Sequence, residues 1–167
     1  KPKLELFNIH SALEKVFALS QVDKDGSLIL KRDYDPSIPE IYGDEDLFIQ
    51  AILNIVKNAQ QALLLTTNPV ITIKSRVSYS QPINGNLHPT LCEVSIIDNG
   101  PGIPTDIQEQ VFFPMVSSKE HGSGLGLSIS QDIIRIHGGA ITFKTKSGET
   151  AFSIQIPIKL NTEVQSA

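Results

Sequence analysis

Three short stretches carry residue types whose spacing could do chemistry. Asn54 and Asn58 stand four apart in "ILNIVKNAQQAL", so on a helix they share one face, and Gln50 and Gln61 continue that polar stripe. Their amide oxygens are hard donors suited to Mg²⁺, which takes oxygen ligands and keeps substrate phosphates in its shell. A polar helix face in solvent would look the same, although two asparagines in mid-helix are poor helix formers and invite a reason. Asp98 heads "DNGPGI". Its carboxylate can accept a hydrogen bond from an exocyclic amine such as adenine N6, while Gly100 and Gly102 let backbone and base approach closely. Asn-Gly and Pro-Gly are equally common turn dipeptides. The third stretch, Gly122-Ser123-Gly124-Leu125-Gly126-Leu127, opens a periodic apolar run. A glycine-rich helix start presents unpaired N–H groups and the positive dipole end to a phosphate. It lacks the Gly-Lys-Ser/Thr of a Walker A loop, and no strand precedes it as a Rossmann turn requires.

These stretches need elements to hold them. Periodicity predicts a helix over 8–19, with Ile9, Leu13, Val16 and Phe17 inward, and a long helix over 44–65, with Ile49, Ile52, Leu53 and Val56 as its core face. The long helix opens on Asp44-Glu45-Asp46, where negative charge suits the dipole, and stops at Asn68-Pro69. "DKDG" at 23–26 is a turn. Strands are expected over 27–34, 70–77, 91–97, 140–146 and 150–158, the last two joined through Ser147-Gly148-Glu149. A short helix fits 104–111. A helix over 125–137 closes on Gly138-Gly139 as a left-handed cap. The polar connection over 79–90 is long for a hairpin, and "FFPMVSSKEHGSG" has no regular period.

Strands and helices are mixed, but not in the strict alternation of a doubly wound parallel sheet. The expectation is an α/β (α+β) two-layer sandwich: one mixed β-sheet with helices on one face. It occupies a single domain over 1–160, with 161–167 as a disordered tail. The 167 residues suffice for a core, and 14 Lys+Arg against 18 Asp+Glu argue against the basic footprint of a nucleic-acid binder. Cys92 is the single cysteine, so no intrachain disulfide or thiolate zinc cluster forms, and a reducing cytoplasm is the default. No apolar stretch reaches the ~18 residues of a membrane helix.

Taken in order, the three stretches resemble the nucleotide-binding domain shared by sensor histidine kinases, Hsp90, type II topoisomerases and mismatch-repair ATPases, the GHKL family with its Bergerat fold. "NIVKNA" resembles the N box, "DNGPGI" the first glycine box, "VFFPMVSSK" the phenylalanine box and "GSGLGLSI" the second glycine box. The resemblance runs over about 44–158. Within the family, "RDYDPSIPEIYGD", "NIVKNAQQAL" and "FFPMVSSKEHGSGLGLSIS" look most like nitrogen-regulation sensor kinases of the NtrB type.

The resemblance implies ATP and Mg²⁺ as cofactors. Asn58 would coordinate the Mg²⁺ bridging the phosphates, with Asn54 beside them and Lys57 at the edge of that face. Asp98 would pair with the adenine amine. Gly100, Gly102 and Ile103 would form the first glycine box, where the base enters and a lid over about 100–123 hinges. Phe112 and Phe113 would anchor that lid, Lys119 would reach the phosphate tail, and Gly122, Ser123, Gly124, Leu125, Gly126 and Leu127 would contact the phosphates. Asn54 stands where hydrolysing relatives carry a glutamate that activates water, and an amide cannot take that proton, which favours kinase over ATPase. Two positions depart from the family: Gln61, where many members have Lys or Arg, and Met115, in place of the usual second lid phenylalanine.

Sensor kinases carry their phosphoacceptor in a pattern of His, an acidic residue, two more positions and Pro. His10, His88, His121 and His137 all lack it. His10 reads as the polar side of the first helix, His88 as a loop residue, and His137 as a residue at a helix C-terminus, where positive charge is favoured. The phosphoacceptor/dimerisation domain and the sensor domain are therefore expected elsewhere. The resemblance further implies a homodimeric full-length kinase, a monomeric catalytic fragment without membrane contact, an NtrC-type response regulator and control by a PII signal protein. The alternatives are an ATP-hydrolysing conformational module of the Hsp90 or mismatch-repair kind, and a regulatory domain that binds nucleotide without catalysis.

Overall fold

The computed structural model describes residues 1–21, 26–78, 90–113 and 126–158. In chain order these form β1 (Glu5–Phe7), α1 (Ile9–Ser20), β2 (Ile29–Asp33), β3 (Ile41–Gly43), α2 (Glu45–Ala62), β4 (Val70–Ser78), β5 (Leu91–Asp98), a 3₁₀ turn (Thr105–Gln110), α3 (Gly126–Ile136), β6 (Ala140–Lys146) and β7 (Glu149–Pro157).

Alternation decides the sheet. Ile71, Ile73, Cys92, Val94, Ile96, Phe152, Ile154 and Ile156 all turn to one face and are buried, as period-two strands with one covered face require. The opposite face is polar, and Ser95 and Ser153 pair their hydroxyls there at 2.7 Å. Five strands lie in the order β2-β4-β5-β7-β6. β2 runs parallel to β4 and every other pairing is antiparallel, so the sheet is mixed and the expected two-layer arrangement is the one observed.

The helices supply the second layer. α2 buries Phe48, Ala51, Ile52, Ile55, Val56 and Ala59, a stripe at the helical period. Of the expected core positions, Ile52 and Val56 are fully buried, while Ile49 and Leu53 are half-buried at its margin. α1 adds Ile9, Ala12, Leu13, Val16 and Phe17, and α3 adds Ile133 and Ile134, all in one continuous cluster. Caps fix the ends: Asn8 Oδ1 accepts from the N–H groups of His10 and Ser11, and Asp44 Oδ1 accepts from Leu47 N–H at 3.0 Å. Gly138, at φ +74°, closes α3 as expected.

The structure differs from the sequence reading in four places. β1 and β3 pair antiparallel, Glu5 opposite Gly43 and Phe7 opposite Ile41, in a separate two-stranded sheet that was not expected. Three-residue strands are too short to show a period. α2 ends at Ala62 rather than 65, leaving Leu64 and Leu65 exposed, with Asn68 at a positive φ of 53° before the proline. The short helix expected over 104–111 is a 3₁₀ turn, and the strand expected over 27–34 is trimmed to Ile29–Asp33. The turn at 23–26 apart from Gly26, most of the 79–90 connection, the aperiodic stretch beyond Phe113 and the tail lie outside the described residues. No helix among the described residues is long and apolar enough to cross a membrane.

Candidate functional site

The site begins where α3 lies against α2. The buried Ser130 hydroxyl donates to the Ala51 carbonyl at 2.8 Å, tying the two helices together one turn below Asn54. Gly126, the first residue of α3, packs on Asn54 itself: a Cβ placed there would lie 3.6 Å from the Asn54 Cβ. The backbone at the start of α3 therefore faces the helix side that carries Asn54 and Asn58, both half-buried. Lys57 is exposed, as its angle on the helix implies, and Leu127 is half-buried against the core.

Asp98 closes the last position of β5 and is 4% exposed. Its Oδ1 accepts the Gly100 N–H at 2.9 Å, the hydrogen bond of an Asx turn. The neighbouring Asn99 fastens that turn to the start of β4, accepting from Val70 N–H at 2.8 Å and donating to the Asn68 carbonyl at 2.9 Å. Gly100 fits because nothing larger can. A Cβ there would meet Asp98 Oδ1 at 2.9 Å and the Ala62 carbonyl at 3.3 Å, so the turn rests on the C-terminal end of α2. One helix thus carries the Asn pair near Gly126 and, at its end, touches the Asp98 turn.

Gly102 needs its freedom: φ is +90°, and a Cβ would come within 2.6 Å of the Lys146 carbonyl. Beside it, Ile103 N–H donates to Thr145 Oγ1 at 2.9 Å, and Thr145 Oγ1 lies 2.8 Å from Thr150 Oγ1. Thr150 is directly opposite Asp98 across β5 and β7 and is 4% exposed. Neither threonine was singled out in the sequence. The available signal was a hydroxyl at a core-facing strand position, which alternation from Phe152 and Ile154 marks.

Phe112 packs edge-on against Phe143 and Phe152, at 6.0 and 6.2 Å between centroids. Phe113 does not join these rings and is 58% exposed; the stretch the two phenylalanines are expected to anchor continues outside the described residues. Lys119, Gly122, Ser123, Gly124 and Leu125 lie outside the described residues. No group of three or more His, Cys, Asp or Glu side chains among the described residues is placed to hold a metal alone. The half-buried amide oxygens of Asn54 and Asn58 are hard donors of the kind Mg²⁺ accepts, since that ion fills its remaining positions with phosphate and water oxygens.

The two described histidines, His10 and His137, serve the fold. His137 corrects its sequence reading: it is buried, its Nε2 accepts the Asp44 N–H at 3.0 Å and its Nδ1–H donates to the Ile133 carbonyl at 2.8 Å. Accepting at Nε2 requires a lone pair there, so the neutral ring, not a positive charge at the helix end, occupies this place. His10 stands on α1 as expected, but its ring reaches in to the Ser75 hydroxyl at 2.8 Å and stacks on Tyr34. Burial pulls its imidazole below the usual histidine range. His88 and His121 are outside the described residues.

A family model described as "Histidine kinase-, DNA gyrase B-, and HSP90-like ATPase" matches residues 43–160. The chain belongs to this ATPase family. Asn54, Asn58, Asp98 and Gly126 all fall inside the matched residues. Among curated relatives, the sensory histidine kinase/phosphatase NtrB of Vibrio alginolyticus is 46% identical over 90% of this chain and 43% of its own length. The chain thus spans less than half the length of the curated relatives it matches. Among solved structures, the catalytic domain of histidine kinase ThkA superposes with a TM-score of 0.75 at 27% identity, covering 93% of this chain and 96% of that one. ThkA in complex with the response regulator protein TrrA gives a TM-score of 0.74 at 24% identity, covering 95% of this chain and 42% of that one. The mixed sheet and its helical layer are therefore the fold of histidine kinase catalytic domains.

Proposed function

We propose that the chain is the ATP-binding catalytic domain of an NtrB-type sensor histidine kinase. It holds ATP between α2, the start of α3 and the Asp98 turn, and delivers the γ-phosphoryl group to a histidine on a separate phosphoacceptor domain. The observation that carries this reading is the approach of Gly126 to Asn54 on the helix whose far end bears the Asp98 turn.

Each residue has a task in this reading. Asp98 accepts the adenine amine, with Gly100 leaving room for the flat base. The N–H groups at the start of α3, with those of Gly122, Ser123, Gly124 and Leu125, receive the phosphates, and Lys119 adds charge at the tail. Asn58 would hold Mg²⁺, which when bound neutralises phosphate charge. Asn54 lies beside the phosphates and, being an amide, cannot take a proton from water, so a well-placed imidazole is the better acceptor. Phosphoryl transfer asks mainly for in-line positioning and charge neutralisation, which a fixed cleft supplies.

The NtrB relatives support nitrogen status as the input, an NtrC-type response regulator as the next acceptor, PII as a controlling partner, a dimeric parent and a cytoplasmic site of action. The complex of ThkA with a response regulator supports relay to such a partner. The test mixes this chain with γ-labelled ATP and an NtrB-type phosphoacceptor domain, and looks for acid-labile phosphohistidine. Steady ATP turnover by the chain alone, without transfer, would instead identify a hydrolase.

A further inference from the structure

We infer that Thr145 is a positioning residue that couples the adenine side of the cleft to the first peptide of the segment expected to form the lid; this rests on the reading of Asp98 as the base-recognising carboxylate. Three side chains stand in one row across neighbouring strands. Asp98 on β5 is opposite Thr150 on β7, and Thr150 is opposite Thr145 on β6. Directly opposed residues share a face of the sheet, so the row lies on the helix-covered side, where Asp98 and Thr150 are each 4% exposed.

The row does not stop at Thr145. Its Oγ1 accepts the Ile103 N–H at 2.9 Å and sits 2.8 Å from Thr150 Oγ1. An amide only donates, so Thr145 accepts from Ile103 with one lone pair, and its hydroxyl can still share a hydrogen bond with Thr150 in either direction. The preceding residue is fixed to the same corner, because a Cβ on Gly102 would lie 3.2 Å from Thr145 Oγ1 and 2.6 Å from the Lys146 carbonyl. Gly102, at φ +90°, is the point where the chain leaves the Asp98 turn. The two hydroxyls therefore link Thr150, the residue directly opposite Asp98, to the backbone just past that bend.

This arrangement gives Thr145 two effects through one oxygen. It orients Thr150 beside the base and holds Ile103 N–H, so the direction in which the chain departs from the glycines is tied to the state of the adenine side. The γ-phosphate lies at the other end of the cleft and plays no part in the row. ADP and ATP should therefore depend on Thr145 to the same degree.

The experiment measures ADP and ATP dissociation constants by calorimetry, and exchange of the Ile103 amide by NMR, for the native chain, Thr145→Val, Thr145→Ser and Asp98→Asn. Thr145→Val is expected to weaken both nucleotides by an equal factor of roughly five to tenfold, the worth of one hydrogen bond, and to speed Ile103 exchange. Thr145→Ser keeps the hydroxyl and should restore both. In the native chain, ADP should slow Ile103 exchange, a readout that stands even if a variant does not fold. Unchanged ADP affinity in Thr145→Val, no rescue by serine, or native Ile103 exchange indifferent to ADP would overturn the inference. If Asp98→Asn also binds ADP normally, the adenine-site reading falls with it; if Asp98→Asn loses ADP while Thr145→Val does not, only the coupling falls.

Discussion

His137 Nε2 accepts the backbone N–H of Asp44 at 3.0 Å, fastening the end of α3 to the start of α2 across 93 residues of sequence. Gly43 makes the fit possible, since a Cβ there would lie 2.6 Å from the same nitrogen. Replacing His137 by Phe leaves the Asp44 N–H without its partner and should cost about 1–3 kcal/mol. Gly43→Ala should cost a similar amount by crowding the ring. In the double variant Gly43→Ala/His137→Ala the crowding has no target, so urea denaturation should give a loss smaller than the sum of Gly43→Ala and His137→Ala measured singly.

Asp98→Asn tests the base site with little risk to the fold. The amide oxygen of asparagine can still accept the Gly100 N–H, but the new NH₂ group meets the adenine amine donor to donor. Phosphoryl transfer should be abolished while the melting temperature stays near the native value. Asn58→Asp should do the same by setting a carboxylate against the phosphates. Near-normal transfer by either variant would sink the assignment.

Two glycines give opposite outcomes on mutation to alanine. At Gly126 a Cβ makes ordinary contact with Asn54 at 3.6 Å, and alanine is up to about 1 kcal/mol better than glycine in a helix. Gly126→Ala should therefore melt no lower than the native chain yet bind ATP more weakly, because the added methyl group stands where the phosphates approach. Gly102→Ala should lose stability outright, since both its positive φ and the Lys146 carbonyl oppose a side chain. Thermal melts and ATP titrations on the two variants separate the effects.

Acid should undo one helix cap. The N–H of Leu47, and next that of Lys3, hold the Asp44 carboxyl below the usual aspartate range. A carboxylate whose folded pKa is depressed adds stability that is complete above about pH 4 and is lost as pH falls through the lowered value. Asp44→Ala should cost about 1 kcal/mol at pH 7. A series of urea midpoints between pH 2 and pH 7 should show the native chain and the variant converging at the acid end.

The long elements were legible because their signals are local. Asp44 before an acidic first turn, and Gly138 after an apolar run, mark the ends of α2 and α3 without reference to anything distant. Asn54, Asn58 and Asp98 drew attention for the same reason, a four-residue spacing and a strand-end carboxylate visible in a few letters, but their expected roles came from the order of the four boxes and the family resemblance. What escaped depends on partners far along the chain. Glu5 needs Gly43 to become a strand, Thr150 has meaning only opposite Asp98, and His137 looks like a charged helix end until Asp44 arrives to donate to it. Phe113 is the reverse case. Its neighbour Phe112 found the Phe143–Phe152 pair, and nothing in two adjacent phenylalanines says which one will.

The position of β7 governs when the cleft can exist. It is the last described strand in chain order, yet it lies between β5 and β6 in the sheet, so Asp98 waits 52 residues for Thr150. During synthesis the helix with its Asn pair and the Asp98 strand leave the ribosome first, with β5 presenting an unpaired edge. Non-local pairing of this kind is slow, and exposed strand edges invite misassembly. If Asp98 recognises the base as proposed, nucleotide should bind only after the β6–β7 hairpin has closed onto β5.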